Sequence, residues 1–183
     1  MDIQEFVSTI RDHYVQQFKI FVTNLTAEAK KGSAEVMLLL PHRDTLFDQN
    51  YCADFVKNDD GGSIIEMIPD QILTFDPMEG FIDETEVHFA SMCWDDVTFE
   101  HDAPDDLQNP LEDWFNEWFD PNEYKAPLPD GLSGRVHHLS VREQSISADF
   151  GTSGPEAFWD LFNILTNCGA KKIRISTSRA EQA

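Results

Sequence analysis

Four carboxylates on one short stretch are the residues best placed to do chemistry in this chain. From Asn109 to Asp120 the apolar residues Leu111, Trp114, Phe115, Trp118 and Phe119 fall at i, i+3, i+4, i+7 and i+8, the period of an amphipathic helix. The stripe leaves Glu112, Asp113, Glu117 and Asp120 on the other face. Asp113 and Glu117 are like charges four residues apart, which costs a helix roughly 0.2–0.5 kcal/mol. A row of carboxylates on a rigid helix attracts cations and can imitate the charge spacing of a nucleic-acid backbone. The chemistry it suggests is capture of a basic surface rather than bond-making. The plainer reading is a surface helix docked by its aromatics with its acids in solvent. A third reading seats Trp114 and Trp118 in a partner's groove as hot-spot residues.

Other acids come in runs: Asp59-Asp60, Asp83-Glu84, Asp95-Asp96, Glu100-His101-Asp102 and Asp105-Asp106. Asp95, Asp96, Asp105 and Asp106 join the four helix acids as the expected partner-binding set. Hard cations want several oxygens, but no D-x-D-x-D-G-x5-E frame exists. Glu100, His101 and Asp102 come nearest to a ligand set, and neither a metal site nor a cofactor is expected. His137 and His138 are neighbours on a strand and so point to opposite faces. His137 shares the face of Leu139 and Val141 and reads as a satisfied core histidine. His42, His88 and His101 show no H-x3-H or H-E-x-x-H spacing. No G-x-S-x-G, P-loop or G-x-G-x-x-G motif is present. Cys93-Trp94-Asp95 has no positioned base. Gly151-Thr152-Ser153-Gly154 could present amides to an anion, but reads first as an ordinary strand-to-helix turn. With 34 acids in the chain, some carboxylate pair is always at hand, so glycosidase-like pairing carries no weight.

Charge is distributed unevenly. No lysine or arginine occurs between Lys57 and Lys125, and residues 58–124 carry 20 acids. The remainder has 14 acids and 13 bases, so −20 of the net −21 lies in the middle and −1 elsewhere. Such a chain is a poor ligand for nucleic acid or anionic lipid, which need cationic neutralisation, and a good one for cationic partners. The same segment holds ten aromatics, from Phe75 to Tyr124, which argues for folding rather than disorder. With bases at both ends, the expected molecule has an acidic side and a near-neutral side.

These residues need a scaffold, and the hydrophobic pattern supplies one. Ile3 to Leu25 has helical spacing, with Asp2 and Glu5 as a capping box; Lys30-Lys31-Gly32-Ser33 breaks it. A strand follows from Glu35 to Leu40, stopped by Pro41, and residues 42–58 are ambiguous. Ile64–Ile68 and Gln71–Phe75 read as paired strands around Pro69-Asp70, and Thr85–Ala90 and Asp96–Glu100 alternate as half-buried strands. For the acidic helix, Asn109 is the expected N-cap, Pro110 N1 and Glu112 the partner in an N-x-x-E box. Residues 133–177 read as a β-β-α-β unit: a strand Arg135–Arg142, a return strand through Ile146, Ala148 and Phe150, an apolar helix after Pro155 ended by Gly169, and a strand Lys172–Ser176. The intervening helix predicts a crossover that leaves its two flanking strands parallel.

The expected fold is α+β: one domain over 1–183, a mixed or mostly antiparallel sheet, and about three helices. Three cysteines without a C-x-x-C pair read as reduced thiols. The absence of a signal-like N-terminus or a bilayer-length apolar run makes the cytoplasm the expected location. The expected function is a non-enzymatic acidic protein-binding module, of inhibitor or immunity type, that captures a basic protein such as a toxin or nuclease. The alternatives are a small-ligand protein or enzyme with a pocket between the sheet and the C-terminal helix, and a structural or assembly subunit.

Overall fold

Asp2 caps the first helix, α1 (Ile3–Ala29), by accepting from Gln4 N–H at 3.4 Å. The helix buries Phe6, Val7, Ile10, Tyr14, Val15 and Phe18, the stripe its spacing demands. The computed structural model describes residues 2–29, 32–41, 43, 45–58, 61–104 and 106–179. The pair Lys30-Lys31, His42, the run Asp59-Asp60 and Asp105 lie outside them. After α1 come β1 (Gly32–Leu39), the single turn α2 (Leu46–Gln49), β2 (Asn50–Lys57) and β3 (Ile64–Ile65), which make an antiparallel three-stranded sheet in the order β1-β2-β3.

The larger sheet takes β4 (Met78–Ile82), β5 (Thr85–Phe89), β6 (Val97–His101), β7 (His138–Arg142), β8 (Ser145–Asp149) and β9 (Lys172–Ser176), in the order β4-β5-β9-β6-β8-β7. Strand β9 is parallel to β5 and antiparallel to β6; every other pairing is antiparallel. Helices α3 (Gln108–Trp118) and α4 (Pro155–Asn167) complete the α+β fold. Because β8 and β9 are both antiparallel to β6, they run parallel to one another with β6 between them, as the crossover through α4 requires. Gly169, at φ +89°, lets the chain turn out of α4.

Val87, Phe89, Val97, Phe99, Leu139, Ile146, Ala148, Ile173 and Ile175 are buried on one face of the large sheet. The buried residues of α4 pack there, with the Phe158 ring 5.1 Å from Phe99 and 5.9 Å from Phe150. Helices α1 and α3 lie against α4, so the apolar helix is covered on two sides. The two sheets meet where Cys52 N–H donates to the His137 carbonyl at 2.9 Å. No helix among the described residues is long and apolar enough to cross a membrane.

Three local expectations fail for identifiable reasons. Residues 64–75 do not pair as two strands; only Ile64–Ile65 joins a sheet. Side chains take the backbone groups a strand partner would have used. Met67 N–H donates to Asp54 Oδ2 at 2.7 Å, Gln71 N–H to Gln17 Oε1 at 3.1 Å, and Gln17 Nε2 to the Gln71 carbonyl at 2.9 Å. Helix α3 begins two residues earlier than its sequence signal, with Leu107 rather than Asn109 at the N-cap. Asp106 supplies the missing acceptor, taking Gln108 N–H at 2.9 Å, and Glu112 accepts from the Gln108 side chain instead of closing a box. The strand expected from Arg135 starts at His138.

Candidate functional site

Helix α3 is fixed along α4 by its two tryptophans. Trp114 Nε1–H donates to the Ala157 carbonyl at 2.9 Å, and Trp118 Nε1–H to Asp160 Oδ2 at 3.1 Å. Trp114 is therefore a buried strut and is not available to a partner; Trp118 is half-buried. Between the helices runs a shallow groove of about 340 Å³ with Trp114, Trp118 and Ile164 below and Asp113, Glu117 and Asp160 exposed on its rim. No basic side chain lines it among the described residues. At its edge Lys125 contacts the Glu117 carboxylate and places its ammonium 5.1 Å from the Trp118 ring centre.

The expected partner-binding residues divide into two groups. Asp113 and Glu117 are exposed, Glu112 is half-buried beside them, and Asp106 is exposed at the start of the helix. Asp96 is half-buried and accepts from Thr177 Oγ1, Ser178 N–H and Ser178 Oγ at 2.7–2.8 Å. Asp95 and Asp120 are interior residues and cannot face a partner. Asp120 sits at φ +53°, accepts Tyr124 N–H and Lys125 N–H at 2.9 and 2.8 Å, and pairs with Arg135 at 3.1 Å. Burial alone would raise its pKa; those two amides and the guanidinium outweigh it and hold the carboxyl below the usual range. Asp95 accepts the Cys93 thiol at 2.8 Å and pairs with Arg179. Burial pushes its carboxyl up despite those partners. Their polarity in the sequence gave no hint of this, because the arginines that draw them inward lie 15 and 84 residues away.

The basic-free gap is closed in space. Strand β9 inserts between β5 and β6, and it carries Lys172 to Glu86 at 3.2 Å and Arg174 to Glu100 at 3.1 Å; Lys171 reaches Glu84 at 3.3 Å. Arg135, Arg179 and Lys125 do the same for Asp120, Asp95 and Glu117. The expected division into an acidic side and a near-neutral side therefore does not hold on the sheet, where acids and bases alternate. At the α3–α4 groove Asp113 and Asp160 have no basic side chain beside them in the lining, while Glu117 pairs with Lys125 at the edge.

The other candidates disperse. Glu100 pairs with Arg174, His101 is buried and Asp102 accepts Lys171 and Lys172 N–H at 2.8 and 2.9 Å, so the three do not converge. The turn after β8 is an ordinary one: Thr152 N–H donates to the Arg135 carbonyl, Ser153 N–H to Phe150, and Arg11 clasps the Thr152 and Ser153 carbonyls.

One cluster was invisible in the sequence. Ala34 pairs with Phe55 and Val36 with Ala53, which puts Glu35 opposite Asp54 on the antiparallel β1–β2 pair. Both aim at His137, which is fully buried: Nδ1 lies 2.9 Å from Asp54 Oδ1 and Nε2 3.1 Å from Glu35 Oε1. Glu35 holds φ +50°, unusual for a non-glycine residue. Contacts from Ser133 N–H (2.7 Å), Ser133 Oγ and Thr152 Oγ1 to its carboxylate impose that conformation. Burial works against both charges, but the mutual hydrogen bonds prevail. The Glu35 carboxyl is lowered, and the imidazole, also in the field of Cys52, is raised well above the ordinary histidine value. With carboxylates at both nitrogens, the ring acts as a double donor, an imidazolium clamp between the two sheets. Asp149 completes the group. Its carboxyl is pushed up to about 8, first by burial and then by the Asp54 charge. His137 is thus the satisfied core histidine expected. Its two hydrogen-bonded acid partners, Asp54 and Glu35, lie 83 and 102 residues away on other strands, which no spacing rule reads.

The fold and site together define an α+β protein with a sealed carboxylate–imidazole cluster and an acidic interhelical groove. No protein-family model, no curated protein and no solved structure matches the chain.

Proposed function

We propose that this chain is a non-enzymatic binding module that captures a basic protein, as an inhibitor or immunity-type protein would capture a cationic toxin or nuclease. The observation that carries this reading is the α3–α4 groove, where Asp113, Glu117 and Asp160 rim an aromatic floor with no basic side chain among its lining. A guanidinium or ammonium entering it meets carboxylates and the Trp118 face together, and each is worth more to a cation when water is displaced. The richest set of titratable groups is closed around the buried His137 imidazole; this favours binding over catalysis.

The test is calorimetric titration with an octa-arginine peptide at about 20 and 300 mM salt, across which surface attraction is strongly screened. Wild type is compared with Asp113→Asn/Asp160→Asn and with Asp70→Asn/Asp76→Asn, which removes equal charge from exposed acids elsewhere. The groove variant should lose about fivefold or more in affinity and the control less than about twofold. Equal losses would show that bulk charge, not the groove, does the binding.

One observation favours a second reading, a small-ligand protein. A cavity of about 570 Å³ lies not between the sheet and α4 but beneath residues 68–77, beside the carboxyl ends of the parallel pair β5 and β9. Ile72, Leu73, Phe75 and Met92 line it, with Arg179 as its cation, and its size suits a small molecule. Saturable one-site enhancement of anilinonaphthalene sulfonate fluorescence, lost in Leu73→Asp, would support that reading; unsaturable or unchanged fluorescence would count against it.

A further inference from the structure

We infer that Asp54, His137 and Asp149 form a binding site for one divalent transition-metal ion, of the zinc or manganese class. One donor atom from each of the three lies within 4.8 Å of the others. Ligands about 2.1 Å from a shared tetrahedral ion stand about 3.4 Å apart, so a pair at the 4.8 Å limit closes by about 1.4 Å, within reach of side-chain rotation. One imidazole nitrogen and two carboxylates suit zinc, manganese or ferrous iron better than calcium, which asks for six or more oxygens. The two ligand carboxylates match the charge of a divalent ion.

The outer contacts have the form that metal sites use. A metal-bound histidine almost always donates its second N–H to a carboxylate, which fixes the ring. Here Glu35 takes Nε2 at 3.1 Å and is itself held by Ser133 and Thr152, leaving Nδ1 toward Asp54 and Asp149. Each carboxylate ligand is also oriented by the backbone. Met67 N–H holds Asp54 Oδ2 at 2.7 Å, and Gly151 N–H holds Asp149 Oδ1 at 2.8 Å. An ion takes the place of the proton between His137 and Asp54 and of any proton on the Asp149 carboxyl, so its binding releases protons. A further group has no partner: the Tyr14 hydroxyl is buried, lacks any hydrogen bond among the described residues, and feels the charges of Asp149 and then Asp54. Asp149 is the one residue of the three that is half-buried rather than buried.

The whole chain, stripped with chelator and titrated calorimetrically with zinc chloride and manganese chloride, tests this. The expected result is one equivalent bound at about micromolar affinity or tighter by at least one ion, with proton release. The isosteric variant Asp149→Asn, checked for an unchanged circular-dichroism spectrum, should bind about tenfold or more weakly. Should that variant fail to fold, Asp54→Asn takes its place, and the wild-type stoichiometry stands as a test without either. No binding of either ion to wild type overturns the inference. So does equal binding by wild type and Asp149→Asn, or weak uptake of several equivalents, since either places the ion on surface acids. None of these outcomes bears on the α3–α4 groove, which shares no residue with the cluster.

Discussion

Lys125 places its ammonium 5.1 Å from the centre of the Trp118 ring while contacting the Glu117 carboxylate. The chain thus supplies from its own loop an example of what the α3–α4 groove is built to hold: a cation between an aromatic face and a carboxylate. The contact lies at the groove's edge, so an incoming cation competes with it for Trp118 and Glu117.

Removing that internal cation should improve capture. Lys125→Ala is expected to raise affinity for octa-arginine by about two- to fivefold in the calorimetric titration, while costing less than about 1 kcal/mol of stability, because the pair is exposed. Weaker binding would mean that Lys125 organises the groove instead of competing for it.

Asp120 and Arg135 form a buried pair, and breaking it should be costly. Arg135→Leu leaves the Asp120 charge uncompensated, and a loss of about 3–5 kcal/mol in urea unfolding is expected. The pair also has a pH signature. The folded pKa of Asp120 lies below its unfolded value. Its contribution is therefore complete above the unfolded value of about 4 and is lost as pH falls through the lower folded value. Wild type and Asp120→Asn should differ most near neutrality and converge in stability toward pH ~2. A gap independent of pH would assign the effect to the capping hydrogen bonds alone.

Gly151 has φ +51°, and a Cβ there would collide with the His137 imidazole. Gly151→Ala combines backbone strain with displacement of the clamp, and should cost about 2 kcal/mol or more in thermal or urea unfolding. A near-neutral result would show that the imidazole is free to move.

Among the three thiols, burial pushes Cys52 up to about 12 and also raises Cys93, the latter with the Asp95 charge assisting. Cys168 is half-buried. Iodoacetamide at about pH 8 should therefore label Cys168 in the folded protein and the other two only after unfolding, as read by mass spectrometry. Early labelling of Cys52 would reveal opening at the junction of the sheets.

These residues also show what the sequence could disclose. Elements set by local pattern were legible: α1, the apolar stripe of α3, α4 with Gly169 after it, and the strands around Glu143-Gln144. The acidic rim of α3 was legible for the same reason, since helical period alone puts Asp113 and Glu117 outside. Partners remote in sequence were not. Asp95 and Asp120 look like any surface acids until Arg179 and Arg135 are brought to them. Met67 looks like a strand residue until the Asp54 carboxylate takes its amide. Asp160, half of the groove, sits on α4 and joins Asp113 only because Trp114 and Trp118 lock the helices together. The basic-free gap was real along the chain, but β9 fills it with Lys172 and Arg174 by lying between two acidic strands.

The most direct test of cation capture is an amide and indole NMR titration of the protein with octa-arginine at low salt. The account predicts that the Trp118 indole resonance and the backbone amides of α3 and α4 around Asp113, Glu117 and Asp160 move first and saturate together, and that Trp118→Phe weakens the binding. Shifts spread over β4, β5 and the 68–77 segment, with the Trp118 indole unmoved, would contradict it.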